Sequence, residues 1–235
     1  MQIRSIYNAE PNLKGKETMN LKRPIKNVMI FGDSYSTFEG YIPKGYGIYY
    51  TNAGHEKTDV RHVEETWWHR LCKDMELNLV LNNSWSGSTV GYLGYNDTDC
   101  SKTSSFIYRL DRLVEEGFFK ENDIDTVFVF GGTNDSWSGN KTGDVMLSDW
   151  TREDLYLVSP AICYFVHRLT EVLPDANIVC IVNTDLRPEI GEATRAACEA
   201  FGASCLTLEY LNKKCGHPTI QGMADIEEQL LAFLK

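Results

Sequence analysis

The chain has 235 residues, a formal net charge of −10, and a 43% hydrophobic share. That is enough apolar material for one sizeable core and predicts a single α/β domain. The acidic balance argues against nucleic acid or an anionic membrane surface as the main partner, because both select basic patches.

Residues 1–24 are polar and mixed in charge. They contain no apolar core of signal-peptide length, so the reading is a loosely packed N-terminal extension on a cytoplasmic protein without a membrane span. One domain is expected over residues 25–235. Its first strand is predicted over 25–31, an apolar run that stops at Gly32-Asp33-Ser34-Tyr35. A tyrosine-rich stretch follows, with Tyr35, Tyr41, Tyr46, Tyr49 and Tyr50. Residues 60–75 read as a helix with Val60, Val63, Trp67 and Leu71 on one face, and 77–81 as the second strand. A helix over 104–116 aligns Phe106, Leu110 and Leu113, and the third strand covers 125–130. The helix predicted over 154–173 aligns Ile162, Phe165, Val166 and Leu169, and its Pro160 marks either a kink or a start. The fourth strand is 177–182, a helix runs from Pro188 to Phe201, and the fifth strand is 203–208. A last helix over 219–234 carries Met223, Ile226, Leu230 and Leu234 on one face.

Strands that alternate with helices predict a parallel sheet covered on both sides. The expected architecture is a three-layer α/β/α sandwich of five parallel strands, flavodoxin-like in order. Segments 34–59, 91–102 and 136–149 read as long irregular connections gathered at one end of that sheet, where such loops shape a pocket. The seven cysteines show no Cys-x-x-Cys spacing. Several, such as Cys163, Cys180 and Cys205, lie in apolar runs and read as small buried hydrophobes in a reducing compartment. With no His-x-x-x-His pair either, neither a metal nor another cofactor is expected.

Four short blocks carry the chemistry. Gly32-Asp33-Ser34-Tyr35 places a serine on a tight turn after a strand. Asn82-x-Ser84-x-x-Gly87 follows the second apolar run, and Gly131-Gly132-Thr133-Asn134-Asp135 follows the third. Gly216-His217-Pro218 precedes the last helix. Together they supply a nucleophile, a backbone N–H donor, a side-chain amide and a base, the parts an acyl-transfer site requires. The four blocks in this order resemble the SGNH or GDSL hydrolase family, over a span from about Ile25 to the end of the chain. The resemblance implies the same sandwich fold and a serine esterase. One position departs from the family pattern: three residues before the histidine, where the family usually has an aspartate, stands Lys214. A base needs a partner on its second ring nitrogen. The candidates are a backbone carbonyl, Asn212, Glu209 or a distant aspartate, and the expectation is a Ser–His dyad oriented by a carbonyl or amide.

The mechanism expected is attack by Ser34 on an ester carbonyl, with His217 as base. The oxyanion would be received by the N–H groups of Ser34 and Gly87 and the side-chain amide of Asn134. Asp33 and Asp135 read as loop braces. Tyr35, Trp85 and Trp137 are supporting or pocket residues. Cys215 is a conceivable thiol nucleophile, His55 is at most a pocket residue, and His62, His69 and His167 read as surface or packing groups. Aromatic residues in the loops (Trp85, Tyr92, Tyr95, Trp137, Trp150 and the five tyrosines) suit sugar faces, which favours a small-molecule or carbohydrate ester, an acetyl ester first. A lipid or thioester acyl hydrolase, or a non-catalytic carbohydrate-binding protein on the same scaffold, are the alternatives. Nothing in the sequence bears on oligomeric state.

Overall fold

Five parallel strands order the molecule: β1 (Asn27–Gly32), β2 (Asn78–Ser84), β3 (Thr126–Phe130), β4 (Asn177–Val182) and β5 (Ser204–Thr207). They lie in the order β2-β1-β3-β4-β5, which is the flavodoxin-like sequence expected. The computed structural model describes residues 21–235. β1, β3 and β4 are near-continuous apolar runs because both faces of the sheet are covered. Successive side chains point to opposite faces. Val28, Ile30, Phe128, Phe130, Val179 and Ile181 pack with Trp67, Leu71, Met223 and Ile226 on one side. Met29, Phe31, Val127, Val129, Ile178 and Cys180 pack with Phe106, Ile162, Phe165 and Ala193 on the other.

The first face is covered by α1 (Trp67–Asp74) and α7 (Ile220–Phe233). The second is covered by α2 (Phe106–Glu115), α5 (Val158–Val172) and α6 (Pro188–Phe201). Three shorter elements were not foreseen: α3 (Phe118–Glu121), α4 (Thr133–Trp137) running from the third block into the connection predicted from residue 136, and a two-stranded hairpin of β6 (Lys213–Lys214) and β7 (His217–Pro218).

Boundaries moved for local reasons. The helix predicted from residue 60 begins at Trp67. The Glu65 carboxylate accepts the backbone N–H groups of Arg61 and His62 and closes a separate 3-10 turn, and Thr66 then caps α1 by accepting from His69 N–H. His62 therefore lies ahead of the helix. β2 continues to Ser84, past the apolar run, because its polar side chains find partners: Asn82 Nδ2 donates to the Ser36 carbonyl at 2.9 Å, and Ser84 Oγ donates to Asn82 Oδ1. α5 begins at Val158 after a 3-10 turn at Glu153–Tyr156. Pro160 falls in its first turn, where no intrahelical bond is lost, so it marks a start.

Residues 1–20 of the expected loose extension lie outside the described residues. Next to them, the N–H groups of Lys22 and Arg23 reach Asn177 Oδ1, and the Arg23 guanidinium meets Asp123 at 3.0 Å. The amino ends of the central strands are pinned by Asp125, 3% exposed, whose carboxylate accepts from Lys26 N–H, Asn27 N–H and Thr126 Oγ1. Asp125→Ala leaves those donors without their acceptor. It should lower unfolding free energy by about 2–3 kcal/mol in urea titrations. No helix among the described residues is long and apolar enough to cross a membrane.

Candidate active site

The chain reverses its direction of growth along the sheet between β1 and β3, and ligands of such sheets bind at the carboxyl ends of the strands near that switch. All four sequence blocks end there. After β1, Asp33 N–H donates to the Phe130 carbonyl, and Ser34–Ser36 form a 3-10 turn capped by the Asp33 carboxylate, which accepts from Tyr35 N–H at 3.0 Å. Gly32 is required by close approach: a Cβ there would lie 2.7 Å from Ser36 Cβ and closer still to Ser84 Oγ.

His217 reaches this turn from the other end of the chain. Its Nε2 lies 3.0 Å from Ser34 Oγ, and its Nδ1 lies 3.3 Å from the Cys215 carbonyl. The β6–β7 hairpin that carries it turns through Cys215 (φ 49°) and Gly216 (φ 80°), the two left-handed residues of a tight two-residue loop. Two tyrosine hydroxyls fasten that loop on either side of the imidazole. Tyr35 donates to the Gly216 carbonyl, and Tyr50 donates to the Pro218 carbonyl at 3.0 Å. Among the described residues no carboxylate bonds to His217. Lys214 is exposed, and Asn212 Oδ1 accepts instead from Thr219.

Burial holds the His217 pKa down to about 4. The Cys215 carbonyl pulls it upward, while His55, Lys213 and Lys57 press it lower. The imidazole is thus a free base at neutral pH, with Nε2 aimed at the Ser34 hydroxyl. Cys215 is exposed at the hairpin tip and is not the group that Nε2 addresses.

The first expected donor is Ser34 itself. Its N–H is the first of a 3-10 turn, a position that finds no partner within its own turn. Gly87 is exposed, with φ 82°, and nothing lies within 4 Å of where a Cβ would stand. Asn134, 3% exposed at the start of α4, has its amide fixed on both sides. Tyr95 Oη donates to Oδ1 at 2.9 Å, and one Nδ2 hydrogen goes to the Ser88 carbonyl at 3.0 Å. The second hydrogen remains available to a ligand.

The family blocks also bring buried charge. Asp135 accepts Val90 N–H with both carboxylate oxygens, and burial raises its pKa to about 6. Burial likewise raises Asp33 to about 7, against the pull of the Tyr35 N–H. Both brace loops. A residue not singled out from sequence sits beneath them. Arg109, 1% exposed, donates to Asn83 Oδ1, Ser88 Oγ, and the carbonyls of Asn83, Gly32 and Ser104. It clamps the ends of β1 and β2 through neutral acceptors, and burial lowers its pKa to about 9. The signal was present: Arg109 falls on the same α2 stripe as Phe106, Leu110 and Leu113.

The aromatic residues divide. Tyr46 stacks on Trp85 at 4.2 Å, Trp137 is 43% exposed and meets His217 edge-on, and Tyr95 holds Asn134. Trp150 does not join them. It packs on Tyr164, His167 and Phe201 at the helical layer. Tyr92 is buried beside Tyr156, and Tyr41 lies against Trp68.

Comparison with known proteins assigns the frame. The family model for GDSL-like lipase/acylhydrolase matches residues 26–234. The chain belongs to the GDSL-like lipase/acylhydrolase family. As a GDSL-family protein it is an ester hydrolase on a three-layer α/β/α sandwich. A crystal structure of a protein from Bacteroides ovatus described as a GDSL-like lipase is 40% identical, with 90% of this chain and 99% of that one covered at a TM-score of 0.82. A second, from Bacteroides uniformis, is 38% identical over 88% and 94% of the two chains, with a TM-score of 0.81. An acetyl xylan esterase from Butyrivibrio proteoclasticus shares the fold at 19% identity and a TM-score of 0.57, over 90% of this chain and 64% of that one. No curated protein matches the chain.

Proposed function

We propose that this GDSL-family protein is a serine esterase for small acyl esters, acetyl esters first, on a carbohydrate or similar polyol. The observation that carries the reading is the 3.0 Å approach of His217 Nε2 to Ser34 Oγ. Ser34 attacks the carbonyl carbon and passes its proton to His217 Nε2, and the carbonyl electron pair moves onto oxygen. The N–H groups of Ser34 and Gly87 and the Asn134 amide receive that charge. The imidazolium returns the proton to the departing alkoxide, and water then repeats the cycle on the acyl enzyme. The Cys215 carbonyl orients Nδ1 where relatives of the usual pattern would use a carboxylate.

The carbohydrate part of the reading is supported by rings in the loops at the carboxyl ends of the strands: the Tyr46–Trp85 stack, Tyr95 on Asn134, and Trp137 against His217, flat faces with polar handles. The fold shared with an acetyl xylan esterase favours the same substrate class. p-Nitrophenyl esters of rising chain length test it. Turnover of the acetate that falls steeply by the octanoate, together with release of acetate from acetylated xylan, is the expected result. A preference for long chains would favour a lipid acyl hydrolase. Wild type and Ser34→Ala with equal rates would leave no esterase at this site.

The low pKa of His217 predicts an unusual pH profile. The base must be neutral to accept a proton, so kcat/KM should hold from neutrality down to about pH 5 and halve near pH 4, where His217 protonates. A histidine with an ordinary pKa would put that limb near 6.5. The same depression makes a stability statement. Between its ordinary value and about 4 the unfolded chain binds the extra proton, so this contribution is present above 6.5 and is lost as pH falls.

A further inference from the structure

We infer that Tyr49 is a positioning residue for His217, its ring standing in for the carboxylate that Lys214 displaces. This inference rests on the esterase reading above. The two rings are stacked face to face, centroids 3.6 Å apart and planes 8° from parallel. No other ring among the described residues does this with His217. Trp137 approaches edge-on at 5.5 Å and 71°, and Tyr35 is tilted by 49° at 5.4 Å. A triad carboxylate has two tasks: it holds the imidazole in one orientation and stabilises the imidazolium that forms as the serine loses its proton. The Cys215 carbonyl, at 3.3 Å, addresses the first through Nδ1 but carries no full charge. A parallel aromatic face addresses both. It removes the imidazole's freedom to tilt, and its negative quadrupole attracts the ring once that ring is positive.

Tyr49 is itself held still. Its N–H donates to Thr37 Oγ1 at 3.0 Å, and its carbonyl accepts from His55 Nε2 at 3.0 Å. Its ring meets Tyr50 at 78° and His55 at 89°, with centroids 4.8 and 4.7 Å away. Tyr50 in turn fastens Pro218, the residue after His217, so the stacked pair is braced from both of its chain segments. The Tyr49 hydroxyl is buried and has no hydrogen-bond partner among the described residues. The ring, not the hydroxyl, is therefore the working part, and phenylalanine should serve as well.

Steady-state hydrolysis of p-nitrophenyl acetate by Tyr49→Phe, Tyr49→Trp, Tyr49→Leu and Tyr49→Met tests this, with far-UV circular dichroism to show that each is folded. Leucine and methionine fill space and exclude water but have no π face. The expected result is kcat within about two-fold of wild type for Phe and Trp. For Leu and Met, kcat should fall about three- to thirty-fold with KM nearly unchanged, the range a partly desolvated cation–π contact spans. A residue that only walls the site would tolerate all four equally, so Leu and Met at the wild-type kcat would overturn the inference. So would a Phe variant as slow as the Leu variant, which would assign the effect to the hydroxyl. Failure of the esterase reading looks different: wild type and Ser34→Ala would then hydrolyse the ester alike.

Discussion

Ser34→Ala and His217→Ala should each lower kcat for p-nitrophenyl acetate on the order of 10⁴- to 10⁶-fold, and the double variant should be no slower than either alone. In the proposed mechanism the hydroxyl and the imidazole are one device. Nε2 lies 3.0 Å from Oγ, and a serine hydroxyl is a weak nucleophile until a base takes its proton. Residues that act as a unit lose their joint contribution when either goes, so their effects do not add. The lower end of the range reflects the missing carboxylate, since a triad without its acid begins from a slower baseline. Removing Ser34 should also abolish labelling by a serine-directed phosphonate. Removing His217 should slow that labelling by a similar factor without abolishing it. Additive losses in the double variant would mean that the two side chains serve different steps.

Asn134→Ala should lower kcat about 100- to 1,000-fold, the usual effect of deleting one oxyanion donor, with KM changed far less. In the role proposed for Asn134, a donor acts on charge that exists in the transition state and hardly at all in the bound ester, so the loss belongs in kcat. Tyr95 sharpens the test. Its hydroxyl donates to Asn134 Oδ1 and so fixes which way round the amide is held. Tyr95→Phe leaves the amide able to rotate and should cost about three- to ten-fold, in keeping with one lost buried hydrogen bond. In the Asn134→Ala background the same change should cost nothing further, because there is no amide left to orient. Independent losses would assign Tyr95 to the substrate and not to the amide.

The parts of this molecule that were legible in the sequence are those written in contiguous residues. Continuous apolar runs announced β1, β3 and β4 because both faces of a parallel sheet are dry, and β4 and α6 fall where they were placed. The four blocks were visible because tight turns at strand ends need glycine and small polar residues in fixed spacing. What escaped depends on meetings between distant segments. Tyr49 is one tyrosine among five in its loop, and only the fold brings it onto His217. Tyr95 was read as a ring for a sugar, and its hydroxyl proves to orient an amide. Arg109 was hidden inside a stripe that otherwise reads as core. The hairpin that carries His217 was missed because its turn pair, Cys215-Gly216, lacks the asparagine or aspartate that usually signals such a loop.

The partner of Nδ1 is a main-chain oxygen, and no codon specifies one. A point mutation can delete an aspartate from an ordinary triad, whereas here any residue at position 215 that keeps its φ of 49° brings the same acceptor. Position 214 is thereby left without a task at the imidazole, and its lysine is exposed. The vulnerability moves from the identity of one residue to the shape of a bend, which the hydroxyls of tyrosines 35 and 50 fasten.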